Sequence, residues 1–173
     1  GQRHDLAQLT TEAFVNVGVA LVPEGRRLFP KLTVEENLLL GAFRPSARSS
    51  IQENLAFCLE AFPVLAERKN QLAGSMSGGQ QQMVSLGRAL LSQPRCLLLD
   101  EPSIGLAPKL FQDLVGPIRA LQQERKMSIL IVEQNVREAL KISDRVIVMK
   151  SGELIREGTP DAFSNNTELM ELY

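Results

Sequence analysis

Apolar positions recur along this chain with two periods, and the alternation between them predicts the architecture. Glu36 follows Thr33 by three residues, a capping box, and predicts a helix over 33–42. A second capping box joins Ser77, read as an N-cap, to Gln80. Behind it Met83, Leu86 and Leu90 fall on one face, widened by Val84, Gly87 and Leu91, so this helix buries one side and ends near Ser92, ahead of Pro94. Between them, Leu55, Cys58, Leu59 and Phe62 predict a helix over 51–62, and the Pro/Ser/Arg-rich stretch 44–50 reads as an exposed loop. Short unbroken apolar runs at 17–22, 96–99 and 128–132 read as strands, and the run Cys96-Leu97-Leu98-Leu99 as one buried on both faces of a helix-covered parallel sheet. Pro108 suits the first turn of a helix carrying Leu110, Phe111, Leu114, Ile118 and Leu121, kinked or restarted at Gly116-Pro117. After it come a helix over 136–142 and strands over 145–149 and 153–156 joined through Ser151-Gly152. Thr159-Pro160 then caps a final helical region.

Composition narrows this picture. A chain of 173 residues with 44% hydrophobic content supports one domain with a real core. A net charge of −1 lacks the basic excess of a nucleic-acid binder. Cys58 and Cys96 lie inside the predicted helix and strand and read as small buried hydrophobes. His4, the only histidine, reads as a solvated surface residue, and Arg44 and Arg48 as charges of a solvated loop. No apolar run approaches the roughly 20 residues that span a bilayer, and the polar amino terminus does not read as a signal peptide, so membrane association is expected through a partner.

Candidate chemistry gathers in the stretch 77–101. Gly78 and Gly79 would be wasteful in an ordinary first turn, at roughly 1 kcal/mol each relative to Ala, unless something approaches the backbone closely. A helix start offers free N–H groups and partial positive charge, which suits phosphate. Asp100 and Glu101 stand at the carboxyl end of a predicted strand, where open α/β sheets bind ligands. Adjacent carboxylates there suit metal-assisted phosphate chemistry, one holding Mg²⁺ and the other handling a water proton.

The sequence Met76-Ser77-Gly78-Gly79-Gln80 resembles the signature motif of ABC-type ATPases, and Leu97-Leu98-Leu99-Asp100-Glu101-Pro102 resembles their Walker B motif, in the family's order and at its usual separation. Val22-Pro23-Glu24-Gly25-Arg26-Arg27, the run 32–38, Gln71-Leu72-Ala73-Gly74 and Ile131-Val132-Glu133-Gln134-Asn135 make the chain similar, over nearly its whole length, to the ATP-binding subunits of branched-chain amino-acid importers. The resemblance implies an α/β fold: a P-loop NTPase-like, mostly parallel sheet flanked by helices, with an inserted helical signature subdomain and an antiparallel strand pair near the C-terminus. Its domain reading is one partial ABC ATPase domain over 1–173, with the helical subdomain at 24–93 and the catalytic core at 1–23 and 94–173.

The same resemblance implies roles. Glu101 would be the general base on water and Gln134, at the position of the family's switch histidine, would contact the γ-phosphate. A glutamine can donate a hydrogen bond there but cannot take up a proton as histidine does. Ser77, Gly78, Gly79 and Gln80 would bind nucleotide held by a partner subunit. Glu24 stands where the Q-loop glutamine is usual, and with Asp100 it would hold Mg²⁺. Ala107 stands where many members carry an aspartate that contacts the other subunit. No Gly-x-x-x-x-Gly-Lys-Ser/Thr loop occurs in the sequence, so a chain lacking its Walker A segment is expected. The implied cofactors are ATP and Mg²⁺. The implied partners are a second ABC ATPase subunit, identical or not, and transmembrane permease subunits, with no nucleic acid and no membrane span of its own. The implied location is the cytoplasmic face of the cell membrane. Branched-chain amino acids, urea and short amides stay open as solutes; a fragment acting only as a binding and dimerisation module, or a soluble non-transport ABC ATPase, are the competing functions.

Overall fold

The structure, a computed structural model, describes residue 5 and residues 8–163. His4 and the helical region expected beyond Phe163 lie outside the described residues. The chain divides into two compact units, Gly1–Val132 and Glu133–Tyr173.

The first unit is built on three parallel strands, β1 (Val19–Val22), β2 (Cys96–Asp100) and β3 (Ser128–Val132), in the order β1-β2-β3. The register sets Val22 beside Leu99 and Leu99 beside Ile131. Parallel neighbours need a crossover, and here the β1–β2 connection is a set of helices: α2 (Val34–Leu39), α3 (Pro45–Arg48), α4 (Ile51–Ala61), α5 (Pro63–Glu67) and α6 (Gly78–Leu90). Helix α1 (Thr11–Asn16) precedes β1, capped by the Thr10 side chain, and α7 (Pro108–Arg125) joins β2 to β3. The core gathers Val22, Leu97 and Leu99 from the sheet, Val84, Leu86 and Leu90 from α6, and Phe111, Leu114 and Ile118 from α7.

Both predicted capping boxes form. The Thr33 hydroxyl accepts from Glu36 N at 3.2 Å while the Glu36 carboxylate accepts from Thr33 N at 2.7 Å. That bonding holds the Glu36 carboxyl below its ordinary range. The Ser77 hydroxyl accepts from Gln80 N at 3.4 Å, and the Gln80 amide oxygen accepts from Ser77 N at 3.1 Å.

Three expectations are corrected. The stretch 44–50 is not an open loop: Pro45 starts the single turn α3, Ala47 is fully buried, Arg44 donates to Asn16 O at 3.2 Å, and the Arg48 guanidinium lies 5.9 Å from the Phe43 ring centre. Of the two alternatives for Gly116-Pro117, kink or restart, the restart is excluded: α7 runs from Pro108 to Arg125 as one element, with Leu114, Val115 and Ile118 on either side held in the core. Strand β2 is not buried on both faces. Leu97 and Leu99 are, but Cys96, Leu98 and Asp100 are half-buried, and in the same cross-strand row as Leu98 stand Leu21 and Leu130, 56% and 55% exposed. Within this unit, that face of the sheet is the more exposed of the two.

In the second unit, Asn135 caps α8 (Val136–Ile142) by accepting from Glu138 N. Strands β4 (Val146–Lys150) and β5 (Glu153–Gly158) form the expected antiparallel pair, with an irregularity at Val148/Met149 and an ion pair between Arg145 and Glu157. A 3-10 turn over Pro160–Phe163 returns Phe163, 1% exposed, beneath the Arg156 guanidinium, 5.0 Å from its ring centre. No described helix is long and apolar enough to cross a membrane.

Candidate functional site

Because β1, β2 and β3 run parallel, their carboxyl ends share one edge of the sheet. Asp100 is the last residue of β2, and Glu101 follows it; Glu24 lies in the turn two residues beyond the end of β1. The topology therefore brings Glu24, Asp100 and Glu101 to one edge. Glu101 N–H donates to Val132 O at 2.9 Å, extending the ladder to β3, and Glu101 O accepts from Ile104 N at 3.1 Å. Its backbone is left-handed, with φ 44°. For a side chain of this size that conformation costs on the order of 1–3 kcal/mol, and it persists only where neighbouring bonds impose it. Strain of this kind concentrates where a side chain has to be aimed.

The second feature is the start of α6. Gly78 is half-buried and Gly79 buried, and what approaches them within this unit is protein. A Cβ on Gly79 would lie 3.3 Å from Leu110 Cδ1, and one on Gly78 would lie 3.1 Å from Arg26 Nη2. Part of the reason for the glycine pair is thus internal packing against α7 and against the turn after β1. Ser77 remains exposed at the helix start, its hydroxyl engaged in the cap.

Among the described residues no three His, Cys, Asp or Glu side chains gather as a metal cage. Mg²⁺ characteristically keeps several waters and takes only one or two carboxylates besides phosphate oxygens, and Asp100 and Glu24 at one strand edge are donors of that type. Gln134 belongs to the second unit, one residue before the cap of α8. Ala107 occupies the N-cap position of α7 and offers no side-chain cap.

Two residues that sequence reading passes over hold the turn after β1. Ser85 Oγ donates to Arg26 O at 2.8 Å, and Arg88 donates through Nη1 to Arg27 O at 2.8 Å and through Nη2 to Arg26 O at 3.1 Å. Their only sequence signal is a serine and an arginine three positions apart on a helix whose neighbouring positions are apolar.

The family described as ABC transporter matches residues 2–104 of the chain. A high-affinity branched-chain amino acid transport ATP-binding protein of Pseudomonas aeruginosa is 43% identical over 98% of this chain and 72% of its own length. A probable branched-chain amino acid transport ATP-binding protein of Archaeoglobus fulgidus is 33% identical over 97% of this chain and 71% of its own. Among solved structures, an ATP-binding cassette of an ABC transporter in its ADP conformation superposes with a TM-score of 0.84 at 25% identity, over 99% of this chain and 74% of the other. A nucleotide-free ATP-binding cassette from an ABC transporter gives 0.81 at 26% identity, over 98% and 74%.

Proposed function

The chain belongs to the ABC transporter family, and from that premise we propose that it is the ATP-hydrolysing subunit of an importer for branched-chain amino acids. The names of the relatives support the solute class. The observation that carries the catalytic reading is the Asp100-Glu101 pair at the carboxyl end of β2, with Glu101 aimed from a left-handed backbone.

In this reading Glu101 takes the proton of the attacking water, a role that needs a carboxylate at hydrogen-bond reach of it. Asp100 and Glu24 would supply oxygen ligands for Mg²⁺, directly or through water, and the ion, when bound, would offset charge on the phosphates. Ser77, Gly78, Gly79 and Gln80 form a half-site for nucleotide held by a second ATPase subunit, where the N–H groups outside the capping box, those of Gly78 and Gly79, face phosphate. Gln134 donates a hydrogen bond to the γ-phosphate and positions it, without exchanging a proton. The helical region over 24–93 is a signature subdomain that docks on permease subunits, while 1–23 and 94–173 form the catalytic core. Nucleotide-driven pairing of two such subunits pulls on those permeases from the cytoplasmic face of the membrane.

The test is Glu101→Gln in the assembled ATPase. Turnover is expected to fall by roughly 10²–10⁴-fold, the usual worth of a positioned general base, with nucleotide-driven pairing retained. Turnover within a factor of two of the parent overturns the assignment.

A further inference from the structure

The turn after β1 is held in a conformation that its own residues disfavour. Gly25, Arg26 and Arg27 have φ of 75°, 64° and 46° in succession. Glycine accommodates this; each arginine pays on the order of 1–3 kcal/mol unless its surroundings impose the geometry. Among the described residues, the backbone bond within the turn runs from Arg27 N to Gly25 O, at 2.6 Å. The surroundings that impose the geometry are side chains of α6.

Three bonds from α6 converge on two successive carbonyls. Ser85 Oγ reaches Arg26 O at 2.8 Å, Arg88 Nη2 reaches the same oxygen at 3.1 Å, and Arg88 Nη1 reaches Arg27 O at 2.8 Å. A planar guanidinium suits this arrangement, since its fork presents parallel donors at fixed spacing. Ser85 is 1% exposed, and Arg88 is buried enough that desolvation lowers its pKa. Among the described residues the partners of Arg88 are these two carbonyls, so its charge is compensated by peptide dipoles of the turn. Nearer the start of α6, Arg26 Nη1 donates to Gln81 Oε1 at 3.5 Å, and Gly78 leaves room for the Arg26 guanidinium. The turn is therefore fastened to α6 at two levels, beside the glycine pair and again at Ser85 and Arg88.

We propose that Arg88, seconded by Ser85, is a positioning residue that makes the Glu24 turn and helix α6 one mechanical piece, so that a shift of the turn carries the Ser77–Gln80 half-site with it. The inference rests on the reading of Glu24 and Ser77–Gln80 as parts of the nucleotide machinery. Its physical content is independent of that reading: the turn has no internal bonding sufficient to hold two left-handed arginines, so whatever moves it has to move α6 or break the clamp.

Two measurements test it. In the first, made on the chain itself, trypsin cleavage after Arg26 and Arg27 and amide exchange over 24–28 are compared for the parent, Arg88→Ala, Arg88→Lys and Ser85→Ala. Arg88→Ala is expected to open the turn about tenfold more often, with exchange in β2 unchanged, a local effect of the kind that sub-global opening produces. Arg88→Lys, which keeps the charge but loses the fork, should restore part of the protection. Parent-like protection in Arg88→Ala overturns the proposal, and so does an equal loss across β2, which would mark a merely structural residue. If Arg88→Ala does not fold, Arg88→Lys and Ser85→Ala decide by the same comparison.

In the second, kcat and KM for ATP are measured in the assembled ATPase beside Glu101→Gln. Arg88→Ala should lower kcat about tenfold with KM within about threefold, the pattern of an interaction expressed in the transition state. If Glu101→Gln is slow and Arg88→Ala matches the parent, the clamp is wrong. If Glu101→Gln itself matches the parent, the catalytic reading is wrong and the exchange data alone judge the clamp.

Discussion

The side chain of Asn37 bonds both backbone groups of Phe29: Phe29 N–H donates to Asn37 Oδ1 at 2.9 Å, and Asn37 Nδ2 donates to Phe29 O at 3.0 Å. The same amide nitrogen also reaches Thr33 O at 2.9 Å, so one fully buried side chain fixes the whole approach to α2. Replacing it by leucine keeps the volume but orphans Phe29 N–H, while Phe29 O keeps Leu32 N–H at 3.1 Å and Thr33 O keeps Asn37 N–H at 3.0 Å. Asn37→Leu is expected to destabilise the fold by about 1–3 kcal/mol, the cost of one orphaned backbone group. A urea titration reads this as a lower midpoint with unchanged slope.

Gly41 and Gly116 should respond very unequally to the same substitution. A Cβ on Gly41 would stand 1.8 Å from the carbonyl oxygen of Arg88, a backbone atom that cannot move aside, whereas one on Gly116 meets nothing within 4 Å. Gly41→Ala should cost about 3 kcal/mol or more through overpacking, while Gly116→Ala, whose helix-propensity gain is offset by a Cβ set against the Pro117 ring, should change stability by less than about 1 kcal/mol. Thermal melts of the two variants check the contrast; equal shifts would contradict the packing of α6 on the 3-10 turn Leu40–Ala42.

At Glu101 stability and activity should part. With φ at 44°, glycine suits the backbone better than glutamate does. Glu101→Gly is expected to relieve the left-handed strain while losing the Glu101 side chain's own interaction, for a net change within about 1 kcal/mol, and it removes the proposed base. A chemical melt and an ATPase assay on the same preparation make the comparison.

Burial pushes the Cys58 thiol up to about 12. An acid whose folded pKa is raised keeps its proton longest in the folded state, so its contribution to stability is full below the unfolded thiol value and declines as pH rises from about 9 toward 12. Cys58 should stay unreactive toward a disulfide reagent at pH 8 until the chain unfolds. Reaction at the rate of a small-molecule thiol would contradict its burial beside Gly87, where a Cβ would come within 2.6 Å of the sulfur.

What the sequence made legible was local. The capping boxes at Thr33 and Ser77 span three residues each and formed as read, and the apolar runs at 96–99 and 128–132 fell on adjacent parallel strands. What it hid depends on partners far along the chain. The stretch 44–50 looked open because its composition is that of a loop, yet Ala47 is buried and Arg44 bonds Asn16, 28 positions away. Likewise Ser85 and Arg88 meet Arg26 across separations of 59 and 62 residues, which no periodicity records. Helix α7 passed through Gly116-Pro117 because core side chains on both flanks outweigh the local penalty of proline. In the candidate site, the acidic pair and the signature turn were readable from residue type and order, while the left-handed backbone at Glu101 was not.

The pairing of Val22 with Leu99 across β1 and β2 also sets an order of events. Each helix from α2 to α6 can begin to form from near neighbours, but the strands on either side meet only after that whole stretch has been gathered between them. Closing such a loop carries an entropic penalty before any ladder bond repays it, and parallel strands distant in sequence are correspondingly slow to join. Asp100 and Glu101 therefore reach their places at the sheet edge late in folding. The short helices between the strands have little stability of their own, so the acidic edge and the core they cover are expected to form together.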